Sequence, residues 1–269
     1  MRRGALRPGR ACGSFVSAVT AATGHGGGVS VFDPVLAELL YSWFAPAHAA
    51  VLDPFAGGPT RGVVASRLGL RYTGIELRRE QVLANRRLAR AIAGRPTPRW
   101  IIGDAREVRA MADGRYDLVF TCPPYADLEV YSDDPRDLST MSAAAFCGAL
   151  RSVVAECTAL LRADRFMVLV MGDARDRAGL LRGLIFETIA AARASGLALF
   201  NEAIFLQPAG SLPLRAASGF LAGRKLGRSH QTVLVFAKGS PARGFRGRPP
   251  LPPARLDQPL PILTREASN

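Results

Sequence analysis

The chain has 269 residues, of which 48% are hydrophobic and 21% charged, and this balance suits one globular domain with a sizeable core. No apolar run reaches the ~18 residues that a membrane span needs, and the apolar stretch after the first arginines is too short for a signal peptide. The net charge of +13 favours a polyanionic partner such as nucleic acid, although an Arg- and Ala-rich composition gives such a charge without any partner.

The cysteine spacing bears on metal binding and on the cellular compartment. Cys12, Cys122, Cys147 and Cys157 form no CxxC pair, and the three histidines are scattered. This pattern does not favour a zinc site or a disulfide framework. We therefore expect a cytoplasmic protein without a bound metal.

Composition divides the chain into three parts. Residues 1–28 are rich in Gly and Arg, which predicts a mobile N-terminal segment. Residues 241–269 contain a proline-rich run, which predicts an extended C-terminal tail. The predicted domain therefore covers residues 29–240.

Short β-like runs alternate with helical patterns along this domain. The predicted strands cover Ala49–Leu52, Arg71–Ile75, Arg99–Ile102, Tyr116–Phe120, Phe166–Met171, Ala198–Leu206 and Thr232–Ala237. The predicted helices cover Val35–Trp43 (after Asp33 as N-cap and Pro34), Thr60–Leu68, Arg79–Ala93, Ala143–Leu161 and Leu184–Ala194. Repeated strand–helix units predict an α/β fold whose seven-stranded, mostly parallel sheet carries helices on both faces. The last two strands, with no helix between them, predict an antiparallel edge.

A glycine-rich turn, residues 53–60, follows the first strand and opens the next helix. Its candidate binding residues are Asp53, Pro54, Phe55, Ala56, Gly57, Gly58 and Thr60. Glycine lets the backbone approach a ligand closely, and related turns hold a pyrophosphate at a helix N-terminus. Asp53 would repel a phosphate, so the turn favours a cationic or amine-bearing ligand.

Two further acidic residues end the next two strands. Glu76, followed by Leu77, can accept both hydroxyls of a ribose. Asp104, followed by Ala105, can meet the exocyclic amine of adenine. Each feature alone is more often structural, as a helix cap or a solvated strand end. Together they outline an adenosine with a cationic tail, which predicts S-adenosylmethionine as the cofactor.

A second turn, the Pro-Pro turn, follows the fourth strand. It consists of Thr121, Cys122, Pro123, Pro124 and Tyr125. Two prolines remove two N–H donors and leave carbonyls that can accept hydrogen bonds from a substrate amine, while Tyr125 offers a face for stacking on a base. The alternative is a rigid turn with a packed tyrosine. The Pro-Pro turn follows the strands that end in Asp53, Glu76 and Asp104. This placement favours a catalytic role, in which the turn acts on an exocyclic amine by positioning and electrostatics.

These two turns, in this order, resemble the amino-methyltransferases of DNA, which modify adenine N6 or cytosine N4. Val31-Phe32-Asp33-Pro34 resembles the family's preceding helix motif over the methionine part of the cofactor, which adds Phe32 and Asp33 to the predicted cofactor site. The stretch from Val29 to Gly239 is also similar to methylases of actinobacterial phages. The resemblance implies a Rossmann-like class I methyltransferase fold, methyl transfer to double-stranded DNA at a short recognition site, and a role in restriction-modification.

Two positions depart from the family pattern. Pro59 stands where a further glycine is usual, and it removes an N–H donor. Cys122 stands where Asp, Asn or Ser usually grips the target amine, and a thiol is a weak acceptor. Thr121 or a backbone carbonyl can supply the grip instead.

Two loops offer contrasting charge to a polymer. The basic segment, residues 207–230, contains no acid, and its candidate phosphate contacts are Arg215, Arg224, Lys225, Arg228 and His230. A solvated loop explains it equally well. The acidic loop, residues 126–141, holds five acids against Arg136, which is unfavourable for DNA. We expect it to lie over the cofactor or to pair with arginines elsewhere.

Three other functions are compatible with the chain. Pro-Pro turns also grip planar amines of RNA and of protein amides. Cys122 could act as a nucleophile for cytosine C5 methylation, although those enzymes place the cysteine after a proline. The sheet could also bind nucleic acid without catalysis.

Overall fold

The computed structural model describes residues 31–124, 131–176, 178–206 and 212–248, without the side chains of residues 212–215. It contains one seven-stranded sheet in the order β3-β2-β1-β4-β5-β7-β6. The strands are β1 Ala50–Asp53, β2 Arg71–Glu76, β3 Arg99–Ile102, β4 Tyr116–Thr121, β5 Leu161–Met171, β6 Ala198–Leu206 and β7 His230–Lys238. The first five strands pair in parallel, and β7 is antiparallel to both β5 and β6. The predicted sheet and its antiparallel edge are confirmed.

Helices cover both faces of this sheet, as predicted. They are α1 Pro34–Phe44, α2 Thr60–Arg67, α3 Arg79–Ile92, α4 Val108–Met111, α5 Ala143–Leu160, α6 Leu184–Ala194, α7 Leu212–Gly223 and α8 Pro241–Phe245, with 3-10 turns at Ala105–Glu107 and Leu138–Thr140. One apolar core lies between the sheet and α4, α5 and α6, and a second lies beneath α1, α2 and α3. All six residues of β4 are buried because a central parallel strand is covered on both faces.

The helix α5 is long and apolar enough to cross a membrane by length and composition alone, contrary to the sequence expectation that no segment reaches this length. Eight of its residues are buried, among them Phe146, Leu150 and Val154. Its hydropathy is therefore explained by the core that it forms with the sheet.

The fifth strand begins earlier than predicted, at Leu161 rather than Phe166. The charged residues Arg162 and Arg165 concealed this start, since they do not alternate as in a half-buried strand. Both guanidiniums contact the Asp117 carboxylate at the start of β4, at 2.8 and 3.4 Å. These charges therefore belong to the edge of the sheet opposite the carboxyl ends of the parallel strands.

Two helices replace predicted irregular chain. Residues 212–223 of the basic segment form α7, because Leu and Ala favour a helix more than a single internal glycine disfavours it. Residues 241–248 of the predicted tail belong to the domain, since α8 packs Phe245 against Phe166 at a centroid distance of 4.8 Å. The Arg248 guanidinium also donates to the carbonyl oxygens of Trp43 and Phe44. The predicted mobile segment, residues 1–28, and the remainder of the predicted tail lie outside the described residues.

Candidate active site

A cavity of about 560 Å³ opens beyond the carboxyl ends of β1, β2, β3 and β4, where ligands bind in open α/β sheets. Both turns border it. The predicted site residues that line it are Phe32, Asp33, Pro54, Phe55, Ala56, Gly57, Gly58, Thr60, Glu76, Leu77, Asp104, Ala105, Cys122, Pro123 and Pro124. Asp53 and Thr121 lie behind this surface, and Tyr125 lies outside the described residues.

The glycine-rich turn exposes its backbone to the cavity. Gly57 has φ +52°, a left-handed conformation that favours glycine, and no atom lies within 4 Å of a Cβ built on Gly57 or Gly58. The Gly57 carbonyl accepts a hydrogen bond from Asn85 Nδ2 at 2.8 Å. The turn is thus held from the α3 side while its other surface stays open for a ligand.

Glu76 fixes the same turn from the end of β2. Its carboxylate accepts hydrogen bonds from the backbone N–H of Gly57 (3.0 Å) and of Arg78 (2.9 Å). Burial raises the pKa of Glu76 above the ordinary value of 4.5, and the two amides and the Arg78 charge only partly offset this effect. A buried carboxylate at the cavity wall is a strong acceptor for ligand hydroxyl groups.

Asp104 combines a capping role with a position in the cavity wall. It caps the 3-10 turn by accepting from the Arg106 backbone N–H, and its oxygens also bind the Arg106 guanidinium at 2.6 to 3.1 Å. Burial alone would raise the pKa of Asp104, but these hydrogen bonds outweigh it and the net pKa is lowered. Asp104 therefore stays ionised at the cavity.

The structure corrects the prediction that Asp53 faces the ligand. Its side chain is fully buried and receives hydrogen bonds from Arg61 Nε (2.7 Å), the Tyr72 hydroxyl (2.7 Å) and the Thr121 hydroxyl (2.7 Å). A carboxylate needs such donors when it leaves water, and the buried Arg61 cation compensates its charge. Asp53 thus supports the turn from behind.

Sequence reasoning did not identify Arg61. Its guanidinium lines the cavity, donates to the carbonyl oxygens of Phe55 (2.6 Å) and Ala56 (3.1 Å), and stacks 4.7 Å from the centroid of the Phe32 ring. Asp53 raises the pKa of Arg61 above the ordinary value against the opposing effect of burial. An arginine in the first turn of the helix, eight residues after a strand-ending aspartate, was the available signal.

The Pro-Pro turn divides between the interior and the cavity. Thr121 is one of two alternatives for the grip on a substrate amine, beside a backbone carbonyl. Its hydroxyl instead donates to Asp53 and accepts the Phe55 N–H at 3.2 Å, which disfavours the Thr121 alternative. Cys122, Pro123 and Pro124 line the cavity, and Cys122 is a partly exposed cysteine that forms no disulfide among the described residues. The acceptor groups of the described part of this turn are therefore the thiol and the carbonyls.

The described part of the acidic loop also lines the cavity, through Tyr131, Arg136, Asp137 and Leu138. Two of its acids have local partners. Asp137 accepts from the Ser139 hydroxyl (2.7 Å) and the Ser132 hydroxyl (2.9 Å), and Asp134 pairs with Arg136 at 2.7 Å. The described part of the loop thus borders the ligand space, which agrees with the expectation that it lies over the cofactor rather than pairing with distant arginines. Phe205 and Gln231, from β6 and β7, complete the wall, and no sequence signal marked them.

The basic segment connects β6 to β7 at the same edge of the sheet, and none of its described residues lines the cavity. Arg224 and Lys225 are exposed, and the Arg224 guanidinium lies 5.1 Å from the Phe220 ring centroid. Arg228 is less free, since it contacts Asp173 at 3.6 Å and His230 Nε2 at 3.3 Å. Arg215 belongs to α7, but its side chain is outside the description.

No protein-family model matches the chain, and no curated protein matches its sequence. Solved structures match its fold. A methyltransferase from Pyrococcus furiosus has a TM-score of 0.54 and 14% identity, over 85% of this chain and 98% of that one. The CcbJ methyltransferase from Streptomyces caelestis has a TM-score of 0.54 and 14% identity, over 82% and 96%. TrmN from Thermus thermophilus has a TM-score of 0.51 and 16% identity over 81% of this chain. The match covers 52% of the length of TrmN.

The strand order and these similarities define the architecture. The parallel sheet ends in an antiparallel β7 inserted between β5 and β6, with helices on both faces. The chain therefore has the Rossmann-like fold of the class I methyltransferases.

Proposed function

We propose that this protein transfers a methyl group from S-adenosylmethionine to an exocyclic amino group, adenine N6 or cytosine N4, in DNA. The observation that carries the proposal is the shared cavity. The glycine-rich turn, Glu76 and Asp104 border it on one side, and the Pro-Pro turn borders it on the other. A methyl donor and a planar amine can therefore meet within it.

The residues of the inner wall fit S-adenosylmethionine, which supplies an electrophilic methyl group when bound. Glu76 would accept hydrogen bonds from the ribose hydroxyls, and Asp104 from the adenine amine. Gly57 and Gly58 allow close approach to the methionine part, beside Phe32. A class I neighbour, geranyl diphosphate methyltransferase, was solved in complex with sinefungin, with a TM-score of 0.53.

The Pro-Pro turn would prepare the acceptor. The lone pair of an aromatic amine is delocalised into the ring, and acceptors that bind both N–H groups draw the nitrogen toward tetrahedral geometry. Pro123 and Pro124 contribute no N–H donors of their own, so the turn offers a substrate amine acceptors rather than competing donors. With the cofactor bound, the lone pair would form the new N–C bond as the C–S bond breaks, the thioether would leave with the electron pair of that bond, and the surplus amine proton would pass to water. Such a reaction depends on orientation more than on a strong base.

The choice of DNA rests on the charge of the segment that connects β6 and β7. Arg224 and Lys225 in this segment are exposed, and such cations neutralise phosphates. The two strands that it joins supply the wall residues Phe205 and Gln231. Asp134 and Asp137 of the acidic loop already have partners, which reduces the repulsion that these two carboxylates exert on a phosphate.

The test uses the full-length protein and S-adenosylmethionine labelled in its methyl group. Double-stranded DNA, transfer RNA and a mixed protein substrate are incubated separately, and labelled products are identified by mass spectrometry after digestion. We expect N6-methyladenine or N4-methylcytosine from DNA alone. Label in RNA or in a protein amide, with unlabelled DNA, would instead support the alternative function, methyl transfer to RNA or to a protein amide, since the turn can bind any planar amine. 5-Methylcytosine would support a Cys122 nucleophile.

A further inference from the structure

One buried cation connects the two turns that border the cavity. The Arg61 side chain binds the Asp53 carboxylate and two carbonyls of the glycine-rich turn, and Arg61 is 4% exposed. Its guanidinium donates at two angles that a single ammonium group does not match. The position of the turn therefore depends on the fork of this particular side chain.

Asp53 links Arg61 to the Pro-Pro turn through hydrogen bonds. Its Oδ1 atom accepts the Thr121 hydroxyl at 2.7 Å and the Phe55 N–H at 3.2 Å. The Phe55 N–H also lies 3.2 Å from the Thr121 hydroxyl oxygen. Thr121 of the Pro-Pro turn and Phe55 of the glycine-rich turn therefore belong to one hydrogen-bond network, which is centred on the Asp53 carboxylate.

Two tyrosines hold this network from the interior. The Tyr72 hydroxyl donates to Asp53 Oδ2 at 2.7 Å, and the Tyr41 hydroxyl donates to the Arg61 carbonyl at 3.1 Å. Both tyrosines are almost completely buried. Because solvent does not compete for these bonds, the network resists distortion more than a surface ion pair would.

We infer that Arg61 is a positioning residue, which fixes the distance and angle between the glycine-rich turn and the Pro-Pro turn. The inference rests on the proposed function, under which the distance between the turns determines how closely the substrate amine approaches the methyl group. In-line transfer is sensitive to this geometry, since a misplacement of about 1 Å can cost about 100-fold in rate.

The experiment compares Arg61→Lys with Arg67→Lys in the full-length protein. Arg67 lies in the same helix and also donates to a carbonyl, that of Ile92, but it does not line the cavity. Backbone hydrogen exchange without ligand is followed by mass spectrometry in peptides that cover residues 53–58 and 118–124. We expect faster exchange in both peptides of Arg61→Lys and in neither peptide of Arg67→Lys. Faster exchange in residues 53–58 alone would overturn the inference.

Kinetics provides the second readout. We expect Arg61→Lys to lower kcat for DNA by about 100-fold, with a much smaller change in the dissociation constant of S-adenosylmethionine. Equal losses in binding and kcat, or an unchanged kcat, would contradict a positioning role. If the wild-type protein methylates no DNA, the proposed function fails, and the exchange data still decide whether Arg61 couples the turns.

A milder pair of variants covers the case in which Arg61→Lys does not fold. Tyr72→Phe removes one donor to Asp53 and keeps the buried ring. Tyr116→Phe removes a buried hydroxyl that bonds to Thr73 instead. We expect Tyr72→Phe to lower kcat and to increase exchange in both peptides relative to Tyr116→Phe. Equal behaviour of the two variants would overturn the inference.

Discussion

The inner region of the site, which comprises the cavity wall at β1 to β4 and the hydrogen-bond network behind it, differs from the outer edge of the sheet in how it holds polar groups. In the network around Asp53, Arg61 and Tyr72, both charged side chains are buried and paired. At the outer edge, formed by β6, α7 and residues 224–230, almost all side chains of β6 are exposed, and so are Arg224 and Lys225. Under the proposed function, the rigid inner region would bind the cofactor and the exposed outer edge would contact DNA.

The first prediction tests how strongly the inner region depends on its paired charges. Asp53→Ala leaves the Arg61 cation buried without its partner, which should lower the free energy of unfolding by about 3–5 kcal/mol. Urea unfolding followed by circular dichroism measures the change. Arg228→Ala at the outer edge should cost less, because the Arg228 side chain is 31% exposed against 5% for Arg61 and because Asp173 keeps two backbone N–H donors. Similar losses for both variants would remove the contrast.

The second prediction separates cofactor binding from polymer binding. Glu76→Ala removes a charged acceptor, which should weaken S-adenosylmethionine binding by about 10- to 100-fold. Calorimetry measures this, with the exposed Glu80→Ala in α3 as the matched control. DNA binding measured without cofactor should stay at the wild-type level in both variants. A parallel loss of DNA affinity in Glu76→Ala would show that the two regions are not independent.

The third prediction concerns pH in the inner region. Because burial raises the pKa of Glu76, the carboxylate becomes protonated at a higher pH than an ordinary glutamate as pH falls. Cofactor affinity should therefore decline on mild acidification in the wild-type protein and change less in Glu76→Gln. The effect on stability has the opposite sign, since a raised pKa stabilises the fold at low pH and this contribution is lost as pH rises through it. Titration calorimetry between pH 8 and pH 5 provides the measurement.

The fourth prediction addresses the outer edge and has the smallest expected effect. The double variant Arg224→Ala/Lys225→Ala should weaken DNA binding and reduce the slope of log affinity against log salt by about 2, one for each lost phosphate contact. Fluorescence anisotropy over a salt series gives the slope. The control is Arg87→Ala/Arg90→Ala, which removes two exposed charges from α3. An equal effect of the control would indicate general charge attraction rather than a contact surface.

The sequence predicted the sheet and the composition of most of the cavity wall, because buried parallel strands and glycine-rich turns have local signatures. It did not predict the orientation of Asp53, since that depends on Arg61 in the next helix and on Tyr72 in the next strand. It also missed Phe205 and Gln231, which reach the cavity only through the antiparallel pairing of β6 and β7. The position of Arg61 was a local signal for the first of these contacts, whereas the pairing that places Phe205 and Gln231 leaves no mark in a local pattern.

The helix α8 has a practical consequence for anyone who shortens the gene. Ending the coding sequence at residue 240, where composition suggests a boundary, would remove Phe245 from its contacts with Phe44, Phe166 and Phe200. It would also leave the Trp43 and Phe44 carbonyls without the Arg248 donors. Expression clones intended for crystallisation should therefore extend at least through Arg248.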